Sequence, residues 1–213
     1  MTVVFVVEPI PALESTEPAT AAEGDTVVFA ASIEFSEAMQ HPVKEHPPYH
    51  AEPRRSRPMS TAWVALGANL GDPRATLVRA LRWLAALPST ALVRSSSLHR
   101  TAPVGPPQPD FLNAVARLET RLQPDDLLAA LLTLEQAAGR ERTIHWGPRT
   151  LDLDLLMMGD GGRRMHTSTD LVLPHPRMHL RAFVLAPLAE LDPDLILPTG
   201  HTVSAELAYL SPG

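Results

Sequence analysis

Residues 139–158 read GRERTIHWGPRTLDLDLLMM, and this stretch decides both the fold and the chemistry of the chain. Leu151, Leu153 and Leu155 alternate with Thr150, Asp152 and Asp154, the period-two pattern of a strand with one buried face. Alternation turns both carboxylates to the same side, with Cα atoms roughly 6.5–7 Å apart. Two such anions repel unless a cation sits between them. Mg²⁺ suits that position, because it takes oxygen ligands from one or two carboxylates and keeps room for substrate phosphates. Arg140, Arg142 and Arg149, crowded upstream, offer planar donor forks for the same phosphates. A solvated strand face with scattered surface arginines would also contain an Asp-x-Asp. The arginine cluster and the Gly147-Pro148 turn just before the strand favour the metal-phosphate reading.

Pro124 opens a helix that carries Leu127, Leu128, Leu131, Leu132, Leu134 and Glu135 before Gly139 stops it. Before that helix, a strand starts at Phe111 and reaches about Thr120. Leu112, Ala114, Ala116 and Leu118 form its buried face, and Phe111, Asn113, Val115 and Arg117 share the other. Residues 101–110 hold four prolines and a glycine, so this loop is stiff and exposes backbone groups that no ladder uses. A flat ring and a side-chain amide two residues apart, beside such a loop, would hold a planar heterocycle by stacking and paired hydrogen bonds.

The spacing predicts another strand over residues 90–98 and a buried first strand over residues 62–68. Between them Asp72 caps, and Pro73 opens, an amphipathic helix over residues 73–87. Gly67 and Gly71 invite a phosphate-loop reading. The spacing fits neither glycine motif, and the single lysine of the chain, Lys44, lies far from them, so that class is excluded. After the Asp-x-Asp strand, residues 159–170 read as a Gly-rich turn or hairpin insert. Pro174-His175-Pro176 then leads into a helix over residues 177–191, bent or ended by Pro187, and a last helix covers residues 203–210. Strand, helix, strand, strand, helix, strand is the ferredoxin-like order. The expected class is α+β, a ferredoxin-like core whose antiparallel sheet has helices packed on its faces.

Two regions are expected: an extension over residues 1–60 and one folded domain over residues 61–213. The first sixty residues contain eight of the 22 prolines, nine acidic and four basic side chains, and read as a mostly disordered segment. Two β-prone runs, residues 2–7 and 26–35, have no visible partner there. Met59-Ser60 would make a natural start for the folded part. Of the formal net charge of −6, −5 falls in that extension, which leaves a near-neutral body and argues against a nucleic-acid binder. The chain has no cysteine, no long apolar run and no basic segment ahead of residues 3–7. A cytoplasmic protein without membrane contact is expected, as a monomer or weak dimer.

With these residues in view, the run from Trp146 to Leu156 resembles the signature of the 6-hydroxymethyl-7,8-dihydropterin pyrophosphokinases. The resemblance covers about residues 61–210. It includes residues 66–71 (LGANLG), 100–106 (RTAPVGP), 109–113 (PDFLN) and Pro174-His175. It implies ATP-dependent transfer of a pyrophosphoryl unit to the pterin hydroxymethyl group, releasing AMP, with two Mg²⁺ ions held by Asp152 and Asp154. It implies that the pterin lies between Phe111 and Phe183, is read by Asn113, and touches Thr101, Pro103 and Val104. ATP contacts carry over to Glu135, Arg142, Trp146, Arg149, Leu155, His175 and Arg181, and the arginines assisting transfer to Arg140 and Arg149. Leu132, His145 and Pro176 depart from residues that family members carry. The competing expectation is a non-catalytic ferredoxin-like ligand-binding module, for which the Asp-x-Asp beside clustered arginines has no use.

Overall fold

A computed structural model describes residues 6–8, 57–103, 106–140 and 147–210 of the 213-residue chain. The sheet is built from β1 (Val6–Glu8), β2 (Ser60–Ala68), β3 (Thr90–Ser95), β4 (Leu98–Thr101), β5 (Phe111–Thr120) and β6 (Asp152–Met158). Its order is β1-β4-β5-β2-β6, with β3 also paired to β5, and every pairing is antiparallel. Taking β3 and β4 as one interrupted strand, the core has the expected ferredoxin-like order. A small hairpin, β7 (His166–Thr167) and β8 (Val172–Leu173), occupies the expected insert.

Helices cover both sheet faces. The α1 helix (Pro73–Ala85) starts where Asp72 accepts a hydrogen bond from the Ala75 amide at 2.9 Å. The α2 helix (Pro124–Ala137) starts on its proline. Their leucines, with Ala62, Val64, Leu66, Leu112, Ala114, Ala116, Leu118, Leu153 and Leu155, form one continuous core. Each fully buried leucine is worth about 1.5–3 kcal/mol. The opposite face carries Trp63, Val115, Leu156 and Met157 beneath α3 (Ala182–Leu191) and α4 (Val203–Leu210). Those helices cover one end of that face; its other end, toward Gly67, Asn113 and Asp152, lines an open cleft.

Two expectations need correction. The strand foreseen over residues 90–98 is split, because the regular ladder with β5 breaks at Ser96, which meets Val115 partly through its hydroxyl, and at Ser97, which turns to Glu190. The Ser96 amide donates to the Val115 carbonyl at 2.9 Å, its hydroxyl accepts from the Val115 amide, and the Ser97 amide donates to Glu190 at 3.0 Å. The helix foreseen over residues 177–191 is also split. A 3₁₀ turn, Met178–Leu180, precedes α3, since Arg181 is extended (φ −118°, ψ 95°). Pro187 does not end α3, which runs on to Leu191. Of the extension over residues 1–60, residues 6–8 pair with β4 and β2 begins at Ser60, while residues 1–5 and 9–56 lie outside the described residues.

The C-terminal end of α3 is tied to the sheet by polar contacts. Asp192 accepts from the Trp63 indole at 2.7 Å and from Arg117 at 3.0 Å, and Arg94 donates to the Leu191 carbonyl at 3.3 Å. Asp192→Ala strands a buried indole donor and should lower unfolding free energy by about 1–3 kcal/mol in urea melts at unchanged slope. A loss under about 0.5 kcal/mol would place the tie elsewhere.

Candidate active site

One row of register partners crosses the open end of the sheet. His99 faces Asn113, Asn113 faces Gly67, and Gly67 faces Asp152; in the next row Ala65 faces Asp154. Asp152 and Asp154 therefore share a face, as the alternation predicts. Asn113 and Asp152 stand two strands apart, roughly 9.5 Å. Gly67 forms the floor between them: a Cβ there would lie 3.3 Å from Asn113 Oδ1 and 4.0 Å from Asp152 Cβ. The cleft above holds about 290 Å³ of open space and is lined by Ala65, Gly67, Asn113, Asp152, Asp154 and Phe183, among others.

Arginines compensate the carboxylates. Arg140 pairs with Asp152 Oδ1 at 2.6 Å and also with Glu135, Arg149 pairs with Asp152 Oδ2, and Arg181 reaches Asp154 at 3.2 Å. Glu135 is 3 % exposed and accepts from the Leu153 amide at 2.7 Å, so it anchors α2 to β6 and positions Arg140. Arg181 is the N-cap residue of α3 and lies 5.8 Å from the Phe183 ring centre. Asn113, buried, donates to the Thr101 hydroxyl at 2.9 Å, which leaves its carbonyl oxygen and one N–H for another molecule.

His175 borders Asp154 and Arg181. Burial lowers its pKa below the ordinary value, outweighing the pull of Asp154, and Arg181 adds to the lowering. The imidazole is therefore neutral at pH 7. Its Nδ1 accepts from the Arg177 amide at 3.2 Å, so the proton sits on Nε2, a donor. Countercharge to Asp154 therefore comes from Arg181 and not from this imidazole.

The foreseen residues do not all converge in the same way. Phe183 lines the cleft beside Asn113, whereas Phe111, half-buried opposite Thr101, is not part of that lining. The Leu155 side chain is 3 % exposed in the core under α1 and α2, so only its backbone is available to a ligand. Pro103 lies half-buried in the loop after Thr101. Val104, Arg142 and Trp146 lie outside the described residues.

Sequence reasoning missed Asn69. Its Oδ1 accepts from the Arg149 amide at 2.7 Å, and its Nδ2 donates to Gln108 at 3.0 Å and to the Pro109 carbonyl at 3.1 Å. One buried amide thus clips the end of β2, the proline-rich loop and the approach to β6. Its place two residues beyond a glycine at a strand end was the available signal.

The donor set fits a hard cation. No group of three or more His, Asp or Glu side chains gathers among the described residues. A metal held by Asp152 and Asp154 would complete its shell from phosphates and water, the usual way of holding Mg²⁺.

Comparison with known proteins places the chain in a family. A family model described as 7,8-dihydro-6-hydroxymethylpterin-pyrophosphokinase (HPPK) matches residues 63–193. The 2-amino-4-hydroxy-6-hydroxymethyldihydropteridine pyrophosphokinase of Pseudomonas aeruginosa is 48% identical over 147 residues, 68% of this chain and 89% of that protein. The Haemophilus influenzae enzyme of the same name is 44% identical over 68% of this chain and 90% of its own length. That of Methylorubrum extorquens is 44% identical over 72% and 96%. The solved HPPK-DHPS of Plasmodium falciparum superposes with a TM-score of 0.52 at 11% identity, over 74% of this chain and 43% of that one, and supports the fold alone. The chain spans less than half of that solved chain. On the strength of the family match and these relatives, the chain belongs to the 7,8-dihydro-6-hydroxymethylpterin-pyrophosphokinase family.

Proposed function

We propose that the cleft transfers the β,γ-diphosphoryl unit of ATP to the hydroxymethyl oxygen of 6-hydroxymethyl-7,8-dihydropterin, a step of folate biosynthesis. The observation that carries this reading is the pair Asp152 and Asp154 on one strand face, bracketed by Arg140, Arg149 and Arg181, one glycine away from a buried asparagine amide. The acceptor oxygen bonds to the β-phosphorus as the bond from that phosphorus to the α,β-bridging oxygen breaks; AMP leaves with that oxygen, and the hydroxyl proton passes to solvent. Such a transfer needs an in-line pose and cations on the developing charge.

Asn113 orients the acceptor ring through its carbonyl oxygen and remaining N–H, while Phe183, joined by Phe111 from the loop side, stacks on it. Thr101 fixes the Asn113 amide, and Pro103 and Val104 bound the same pocket. Asp152 and Asp154 would hold two Mg²⁺ ions, which supply charge neutralisation and brace the entering and leaving oxygens. Arg140 and Arg149 stay charged at any working pH and follow the transferring phosphates. Arg181, the Nε2–H of His175, Arg142, Trp146 and the Leu155 backbone complete the nucleotide side, with Glu135 fixing Arg140 in place. Asp152 and Asp154 suit a catalyst better than a passive ligand-binding module, because binding a planar ligand requires no carboxylate pair there.

In a single-turnover assay of AMP formation, Arg149→Ala should lose about 2.7–4 kcal/mol of transition-state stabilisation, roughly 100- to 1000-fold in rate. A normal rate removes Arg149 from the transfer machinery. His175 gives a separate, pH-dependent readout. Its folded-state pKa lies below the ordinary 6.5, so the unfolded chain takes the proton first as pH falls. The stability tied to neutral His175 is whole above pH 6.5 and is lost as pH drops through the lowered folded value. Unfolding of His175→Gln should show a shallower decline below that pH than the unaltered chain; parallel curves would contradict the assignment.

A further inference from the structure

The row that carries the site does not end at β4. Val7 of β1 is the register partner of His99, which faces Asn113, then Gly67, then Asp152. One cross-strand row thus runs from the N-terminal segment to the acidic pair. The neighbouring pairs are Val6 with Arg100 and Glu8 with Leu98. Without β1, β4 would be the sheet edge over its whole four-residue length, with unpaired N–H and C=O groups on its outer side.

That strand has short pairing of its own. It is cut off from β3 where the regular ladder breaks at Ser96 and Ser97, and only His99, Arg100 and Thr101 pair with β5. Its last residue, Thr101, receives the Asn113 amide and opens the proline-rich loop. A short strand paired on one side only, as β4 would be without β1, frays readily. The run at residues 2–7, TVVFVV, is rich in the β-branched residues that strands favour, and β4 gives it the partner that the sequence did not show.

We infer that Val6–Glu8 serves as a tethered edge strand that holds β4 in register and thereby presets Thr101 and Asn113 for the acceptor. The segment is a positioning element that acts through β4 and touches no substrate. This inference rests on the proposed acceptor pocket, and its test separates the two.

Two variants, Val6→Pro combined with Val7→Pro and a deletion of residues 2–8, remove the ladder in different ways; adjacent strand residues turn their N–H groups to opposite sides, so one of the two prolines always takes a donor from β4. Hydrogen exchange of the amides at residues 98–101 should speed up by roughly 2–10-fold, the loss of about one ladder bond. KM for 6-hydroxymethyl-7,8-dihydropterin should rise by a similar factor, with kcat and KM for ATP unchanged. Unaltered exchange in both variants overturns the edge-strand role, whatever the activity. Faster exchange with an unaltered acceptor KM overturns the positioning role, as does an equal rise in both KM values. Failure of the acceptor assignment itself would appear instead in the unmodified chain, as no AMP formed with this pterin.

Discussion

Two carboxylates on one face of a strand, at the uncovered end of a sheet, impose the constraint around which this molecule is arranged. At the roughly 6.5–7 Å that separates alternate strand residues, two unit charges of one sign repel by about 2.5 kcal/mol at an effective dielectric constant of 20, so Asp152 and Asp154 require countercharge whatever else is bound. Three arginines supply it, and each comes from a different support. Arg140 follows the end of α2 and is steadied by Glu135, Arg149 is seated by Asn69, and Arg181 caps α3. On the proposed reading these guanidinium groups pass to phosphate oxygens when the polyphosphate and its cations arrive, and the total charge of the cleft stays balanced.

The rest of the fold keeps that end of the sheet open and stiff. One face is sealed by α1 and α2 over an almost wholly aliphatic core, which fixes the strands without contributing chemistry. The other face is sealed only partway. The α3 helix is held at its C-terminal end by Asp192, Arg94 and Glu190, and its N-terminal end brings Arg181 and Phe183 over the cleft. Glu190 receives the Ser97 amide and hydroxyl and approaches His99 at 3.1 Å. Burial raises its pKa, but the His99 and Ser97 hydrogen bonds outweigh that and leave it below the ordinary value, so Glu190 makes this tie as a carboxylate at neutral pH. The interruption that weakens β4 is thus the same feature that anchors α3.

Local pattern made part of this legible. Asp152 and Asp154 share a face because strand alternation leaves no other arrangement, and Asn113 faces the cleft for the same reason. The limits of α4 and the starts of α1 and α2 followed from proline, capping and leucine spacing. What escaped depended on contacts remote in sequence. The gap at Ser96 and Ser97 is explained only by Val115 and Glu190, and the break at Arg181 only by its extended backbone. Residues 6–8 looked unsupported because their partner is β4, far along the chain. Asn69 and Gly67 carried no charge to draw attention, yet one joins three segments and the other clears the floor of the site. Leu155 shows the reverse limit: a matching motif position whose side chain belongs to the core.

Titration calorimetry of a non-hydrolysable ATP analogue, with and without Mg²⁺ and in the presence of the pterin, tests the central claim most directly. If the acidic pair receives cations that carry the polyphosphate, binding should be strong with Mg²⁺, weaken sharply when it is chelated, and weaken equally with Mg²⁺ present in a chain bearing Asp152→Asn and Asp154→Asn. Equal affinity with and without the metal, or an unaltered metal effect in that double variant, would contradict the account.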